Sequence, residues 1–121
     1  MRIIFLAGIL LLLLSCSHSG KRILPSGLAQ DSVIPRDRMV SLLTDIHLLE
    51  AVLQFDRNRK TNTPGQTVAA YNKLYSKYGI SSKRFRLNLL YYQNDRQEFL
   101  KMYSEVLRNI EARQEEVKKK T

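Results

Sequence analysis

Cysteine is almost missing from this chain: its 121 residues contain one, Cys16. A lone cysteine rules out an internal disulfide, so a folded domain here must be held by its own core. Histidine is nearly as scarce, with only His18 and His47. A catalytic zinc site takes three protein ligands, and the pair falls short of that. No serine sits in a Gly-x-Ser-x-Gly setting, no nucleophile has a recognisable partner, and no glycine-rich loop could cradle a phosphate. No enzyme class gains support, and no cofactor is called for. β-branched runs are few and alternating apolar and polar stretches are missing, so an all-α domain is the consistent reading. The one long apolar run, Ile3 to Leu14, is shorter than the ~20 residues a membrane-spanning helix needs. Acids are the scarce charge, 11 Asp and Glu against 20 Lys and Arg, for a net charge of +9.

The short apolar run has a use of its own. Arg2 precedes it and small residues follow it, the layout of a secretory signal. Its end, Leu13-Leu14-Ser15-Cys16, resembles the bacterial lipobox, with a Leu three places and a small residue one place before a Cys. The resemblance implies a signal peptide over 1–15, cleavage before Cys16, diacylglycerol on its sulfur and acylation of the freed amine. Each buried CH₂ contributes ~0.8 kcal/mol, so two or more acyl chains anchor firmly where one does not. An ordinary signal peptide with a stray cysteine, or an uncleaved short anchor, are the alternatives. The expected location is the bacterial cell envelope, lipid-anchored and periplasm-facing, with inner or outer membrane left open.

Cleavage would remove Arg2 and leave 19 basic against 11 acidic residues, a charge of +8 over 106 residues. Such a balance invites a nucleic-acid partner, but export argues against one. The chain also lacks zinc-finger spacing, an aromatic RNA-binding strand and a zipper after a basic helix. Attraction to anionic headgroups or an acidic polymer near the anchor fits better, at ~1 kcal/mol per basic residue close to a charged membrane. A merely solvated basic surface fits as well.

Residues 16–34, the lipidated Cys and a Ser/Gly-rich stretch without helical or strand period, read as a flexible tether. The helical domain then spans 35–121. Pro35 suits a first helical turn, and Met39, Leu42, Leu43, Ile46, Leu49 and Leu53 form an amphipathic stripe, widened by Val40 and Val52. This first helix is expected to end near Phe55. Thr63-Pro64-Gly65-Gln66 has the form of a capping box opening a second helix, with Val68, Tyr71, Tyr75 and Tyr78 on one face and Gly79 as its stop. Ser81 caps a third, with Ile80 and Phe85 as a hydrophobic staple. Asn94 or Asp95 stops that helix, and Asp95 with Glu98 would make a capping box for the fourth. Phe99, Tyr103, Val106, Ile110 and, after a polar gap at Arg113, Val117 mark the last helix. The expected fold is a small bundle of about four helices, near the lower practical size for a single core.

One polar cluster stands inside the first helix: Asp45, His47 and Glu50. His47 and Glu50, three apart, can share a face and form a hydrogen bond or a weak metal pair. Asp45 lies about 200° round the helix from His47 and cannot easily join them. A structural role, with His47 half-buried and bonded to a neighbouring helix, is the favoured reading. The six tyrosines fall at core spacing, where a ring is buried and its hydroxyl left at the edge.

Lipobox, Pro35 and Met39, Thr44-Asp45-Ile46-His47-Leu48-Leu49-Glu50-Ala51, Tyr75-Ser76-Lys77-Tyr78-Gly79-Ile80-Ser81, and Phe85 with Leu90-Tyr91-Tyr92 and Asn94 together resemble a family of short Bacteroidetes lipoproteins. The likeness spans roughly residues 34 to 110. It implies a compartment and an architecture but no activity, since the family's domain is of unknown function. Leu49 stands where a smaller Ala is expected, and Asp95 where a Pro often starts the fourth helix. If Asp-Ile-His-x-x-Glu is the family signature, its residues are Asp45, His47 and Glu50. The leading expectation is a non-catalytic interaction or structural lipoprotein that docks an envelope protein or acidic polymer. The alternative is a metal- or small-ligand-binding domain using His47 and Glu50, with a hydrolase third.

Overall fold

The computed structural model describes residues 22–121, in which a 3-10 turn at Gln30–Ser32 precedes four helices. These are α1 (Arg36–Asn58), α2 (Pro64–Tyr78), α3 (Ser82–Gln93) and α4 (Arg96–Lys119), the small all-α bundle that the sequence pattern implies. Cys16 and the signal segment 1–15 lie outside the described residues.

Capping chemistry sets most of the boundaries. Thr63 and Gln66 form the expected reciprocal box, with Gln66 N donating to Thr63 Oγ1 at 3.3 Å and Thr63 N to Gln66 Oε1 at 2.7 Å. Gly79 closes α2 in the left-handed region at φ 64°, while Ile80 N reaches back to Tyr75 O, the paired bonding of a Schellman motif. Ser81 accepts from Arg84 N and Asp95 from Glu98 N, each at 3.1 Å. The Asp95–Glu98 box is only half formed, because the Glu98 carboxylate turns to Arg36 Nε at 2.6 Å instead. A charged donor outcompetes a backbone amide for that carboxylate. Helix α1 runs past Phe55 to Asn58, and Lys60 takes the left-handed turn at φ 56°.

Helices α1 and α4 lie side by side and run in the same direction. Arg36 meets Glu98 and Glu105, Thr44 meets Asn109, and Asp45 meets Arg113, so contacts ascend together along both. Helix α2 returns antiparallel to α1, with Tyr71 at Glu50 and Tyr78 at Asp45. Two tight joints, at Gly79–Ser81 and Asn94–Asp95, then carry the chain through α3 to the start of α4. Met39, Leu42, Met102 and Val106 are fully buried between α1 and α4, with Leu43, Ile46 and Tyr92 completing the centre. Val52 is 57% exposed and does not widen the stripe, because it stands 100° round α1 from core-facing Leu53. Val68 and Val117 are exposed too.

Residues 22–34, assigned above to a flexible tether, pack against α3 instead. Leu28 and Ile34 are buried. Fully buried Asn88 accepts from Ile34 N at 2.7 Å and donates to Ser32 O at 3.2 Å and Arg84 O at 2.9 Å. Tyr92 hydroxyl donates to Ile34 O at 2.5 Å, and Arg84 Nε to Ser32 O at 3.0 Å. The stretch lacks internal periodicity, but Asn88 and Tyr92 supply its backbone with partners from another helix.

Asn88→Ala leaves the buried Ile34 amide without a partner, a loss of ~1–3 kcal/mol, while Ser32 O keeps its bond from Arg84 Nε. The expected outcome is a loss of about 2 kcal/mol in chemical denaturation, with hydrogen exchange rising first in residues 22–34.

Candidate functional site

Asp45, His47 and Glu50 leave α1 in two directions, as the 200° between Asp45 and His47 requires. Asp45 is 8% exposed, and three groups on two helices surround it. From α2, Lys77 Nζ reaches Oδ2 at 2.7 Å and the Tyr78 hydroxyl at 2.8 Å. From α4, Arg113 Nη2 lies 3.2 Å from Oδ1. Burial alone would raise the Asp45 pKa, but the hydrogen bonds from Lys77 and Tyr78, with the charges of Lys77 and Arg113, bring it below the ordinary value. Tyr78 moves the other way: burial and the adjacent Asp45 carboxylate push it up to about 12. Arg113, a gap in the apolar stripe of α4, is thus the partner of a buried acid.

His47 and Glu50 face the opposite side. His47 Nδ1 lies 3.3 Å from Glu50 Oε2, and Nε2 lies 3.4 Å from the Tyr103 hydroxyl. A carboxylate only accepts, so in the neutral imidazole Nδ1 carries the proton and Nε2 accepts from Tyr103. Glu50 Oε1 accepts from the Tyr71 hydroxyl at 3.3 Å. A row Tyr71–Glu50–His47–Tyr103 therefore crosses from α2 over α1 to α4. Rings pack around it, Tyr75 against Phe85 at 5.6 Å between centroids and Phe99 against Tyr103 at 4.8 Å. His47 is half-buried and bonded to a neighbouring helix, as its position on α1 leads one to expect.

This row has limited chemical scope. Burial first, and Glu50 second, raise the pKa of both Tyr71 and Tyr103, so their hydroxyls stay protonated donors rather than nucleophilic phenolates. Among the described residues no group of three or more His, Cys, Asp or Glu is placed to hold a metal ion. His47 and Glu50 could offer two ligands, but their atoms already face each other and two tyrosines.

Two polar ties escaped the sequence reading. Asn88 is one, for nothing in a single helical segment marks an asparagine as a clasp for backbone over fifty residues away. The other is Arg36, which holds Glu105 with two parallel bonds of 2.9 and 2.7 Å and Glu98 with a third. Its guanidinium holds the Glu105 carboxyl below the usual range. The six tyrosines behave as their spacing predicts: Tyr92 is buried, and Tyr71, Tyr75, Tyr78, Tyr91 and Tyr103 are half-buried.

Residues 31–116 match the family described as Domain of unknown function (DUF4296), and the chain belongs to that family. No curated protein and no solved structure matches it.

Asp45→Ala strips the buried end of this cluster and is expected to cost about 2 kcal/mol in denaturant titration. Lys77→Ala or Arg113→Ala, each removing one half-exposed partner of several, should cost below ~1 kcal/mol. The pH profile follows from the two directions. Asp45 titrates lower in the folded chain than in the unfolded one, so its contribution is full above about pH 4 and fades as pH falls below it. Tyr78 titrates higher when folded, so its contribution is full below about pH 10 and is lost as pH rises toward 12. Thermal melts of Asp45→Asn and Tyr78→Phe should flatten the acid and alkaline limbs respectively.

Proposed function

We propose that this member of the DUF4296 family is a lipid-anchored module of the bacterial cell envelope that works by holding or docking another component, without catalysis of its own. The observation that carries the reading is the use made of Asp45, His47 and Glu50. Asp45 ties α2 and α4 to α1, and His47 with Glu50 ties the same three helices on the opposite side. Among the described residues the acid and base of this cluster, Glu50 and His47, are turned to each other and to two tyrosines. Among the described residues no buried side-chain nitrogen or oxygen lacks a partner, whereas a reacting site usually keeps polar groups in reserve.

Attachment is assigned to Cys16 through the lipobox-like Leu13-Leu14-Ser15-Cys16, after removal of 1–15. No helix among the described residues is long and apolar enough to cross a membrane. The partner would be an envelope protein or an acidic polymer, in keeping with the basic balance of the chain.

Cys16→Ala should abolish acylation and shift the protein out of the detergent-extracted membrane fraction. A mutant that stays in the membrane with unchanged mass would mean that another feature anchors it. In-cell crosslinking of the wild-type chain should return the same envelope component in repeated experiments. Repeated failure to capture any would count against a docking role.

A further inference from the structure

The end of the chain nearest Cys16 is fixed on one helix. The Arg22 guanidinium lies 5.6 and 5.2 Å from the Tyr91 and Tyr92 ring centroids and 3.8 Å from Asp95. Ile23 O accepts from Asn94 Nδ2 at 3.1 Å, and every long-range side-chain hydrogen bond made by residues 22–34 goes to α3 or its C-cap Asn94. Six peptide steps separate Cys16 from Arg22 and span at most about 20 Å when extended. An acyl group on Cys16 would therefore keep the C-terminal end of α3 close to the bilayer surface, whatever path those residues take.

The surface presented there suits that neighbour. Helix α3, SKRFRLNLLYYQ, carries Lys83, Arg84 and Arg86 and no acid. Arg84 is drawn onto Ser32 O, which leaves Lys83 and Arg86 exposed. Beside them Leu90 is 52% exposed and Ile23 72%. Acids near α3 include Asp95, which already faces Arg22, Asp31 in the 3-10 turn, and Asp37 at the start of α1, whose charge reaches Tyr92. Helix α2 is also free of acids, but its Lys77 is committed to Asp45, and the side-chain bonds of residues 22–34 run to α3 and its C-cap instead. Cations that can reach headgroups beside leucine and isoleucine that can enter the acyl boundary are what holds a helix flat on anionic lipid.

We infer that the outer face of α3, with Ile23 beside it, rests on an anionic lipid bilayer, Lys83 and Arg86 meeting headgroup phosphates and Leu90 entering the interface. The inference rests on the lipid anchor at Cys16 proposed above and adds an orientation to it. It puts α3 at the membrane and makes the remaining faces of α1, α2 and α4 the ones open to a partner.

The test uses the mature, acylated chain in vesicles. Acylation occupies the native thiol, so Leu90→Cys and, as a control on α2, Val68→Cys each offer one site for an environment-sensitive fluorophore. On phosphatidylcholine vesicles containing phosphatidylglycerol, the label at 90 should shift to the blue and be quenched by brominated lipid, and the label at 68 should do neither. Lys83→Glu with Arg86→Glu should remove most of that shift while the protein still floats with the vesicles. A label at 90 as water-exposed as that at 68, in protein that floats, overturns the inference and leaves the anchor standing. An equal shift on phosphatidylcholine alone overturns the anionic requirement, and a 90-to-90 crosslink between chains would assign the face to a second copy. Protein that does not float overturns the anchor, and the orientation with it.

Discussion

A carboxylate moved out of water without partners costs several kcal/mol, and Asp45 is almost fully withdrawn from solvent. Its ionised form survives only because Lys77, Tyr78 and Arg113 converge on it. Those partners come from the end of α2 and from α4 past the fully buried core residues. The carboxylate therefore fixes how far both helices slide along α1. With no second cysteine to form a disulfide and a domain near the lower size limit for one core, that constraint sets much of the arrangement. Remove it, and the polar register of α2 on α1 rests on Tyr71 with Glu50 and Arg38 with the Tyr78 carbonyl.

The dependence is sharpest for α2 because that helix buries none of its residues fully. Its contribution to the core is Tyr71, Leu74, Tyr75 and Tyr78, all partly exposed. Tyrosine suits this position, since its ring adds apolar area while its hydroxyl reaches a partner at the edge. Two of those hydroxyls go to Glu50 and Asp45. The apolar contact holds the helix near α1, and the polar contacts choose its rotation. Helix α4 is docked by the opposite balance, with fully buried Met102 and Val106 and Arg36 gripping two of its glutamates. The parallel run of α1 and α4 requires the chain to come back through α2 and α3, and the two tight joints make that possible.

The scaffold roles of Asp45, His47 and Glu50 bear on how the molecule could act. Side chains that tie three helices together make the surface around them stiff, and a stiff surface loses little entropy when something docks on it. The packed segment 22–34 extends that rigidity to the N-terminal side of the domain. With the acyl group proposed for Cys16, only six peptide steps would separate the lipid from the packed segment, which would favour one face toward the lipid and another toward a partner.

Most of the local structure could be read from the sequence. Thr63 with Gln66, Gly79, Ser81 and Asp95 mark their helix ends because capping is short-range chemistry between residues three or four apart. The stripe from Met39 to Leu53 and the 200° between Asp45 and His47 follow from helical period alone. The destination of each side chain did not follow. Glu98 had the spacing to complete a box with Asp95, yet a guanidinium sixty-two residues away took its carboxylate. Residues 22–34 had no period to announce a fold, because their order comes from Asn88 and Tyr92 on another helix. Val52 and Leu53 are both apolar, and only the placement of α2 and α4 around α1 left one exposed and the other buried. Sequence by itself determined where helices begin, end and turn an apolar face, since those depend on neighbours along the chain. Tertiary structure decided which polar groups meet, because a charge chooses the strongest partner within reach, and reach exists only once the helices are side by side.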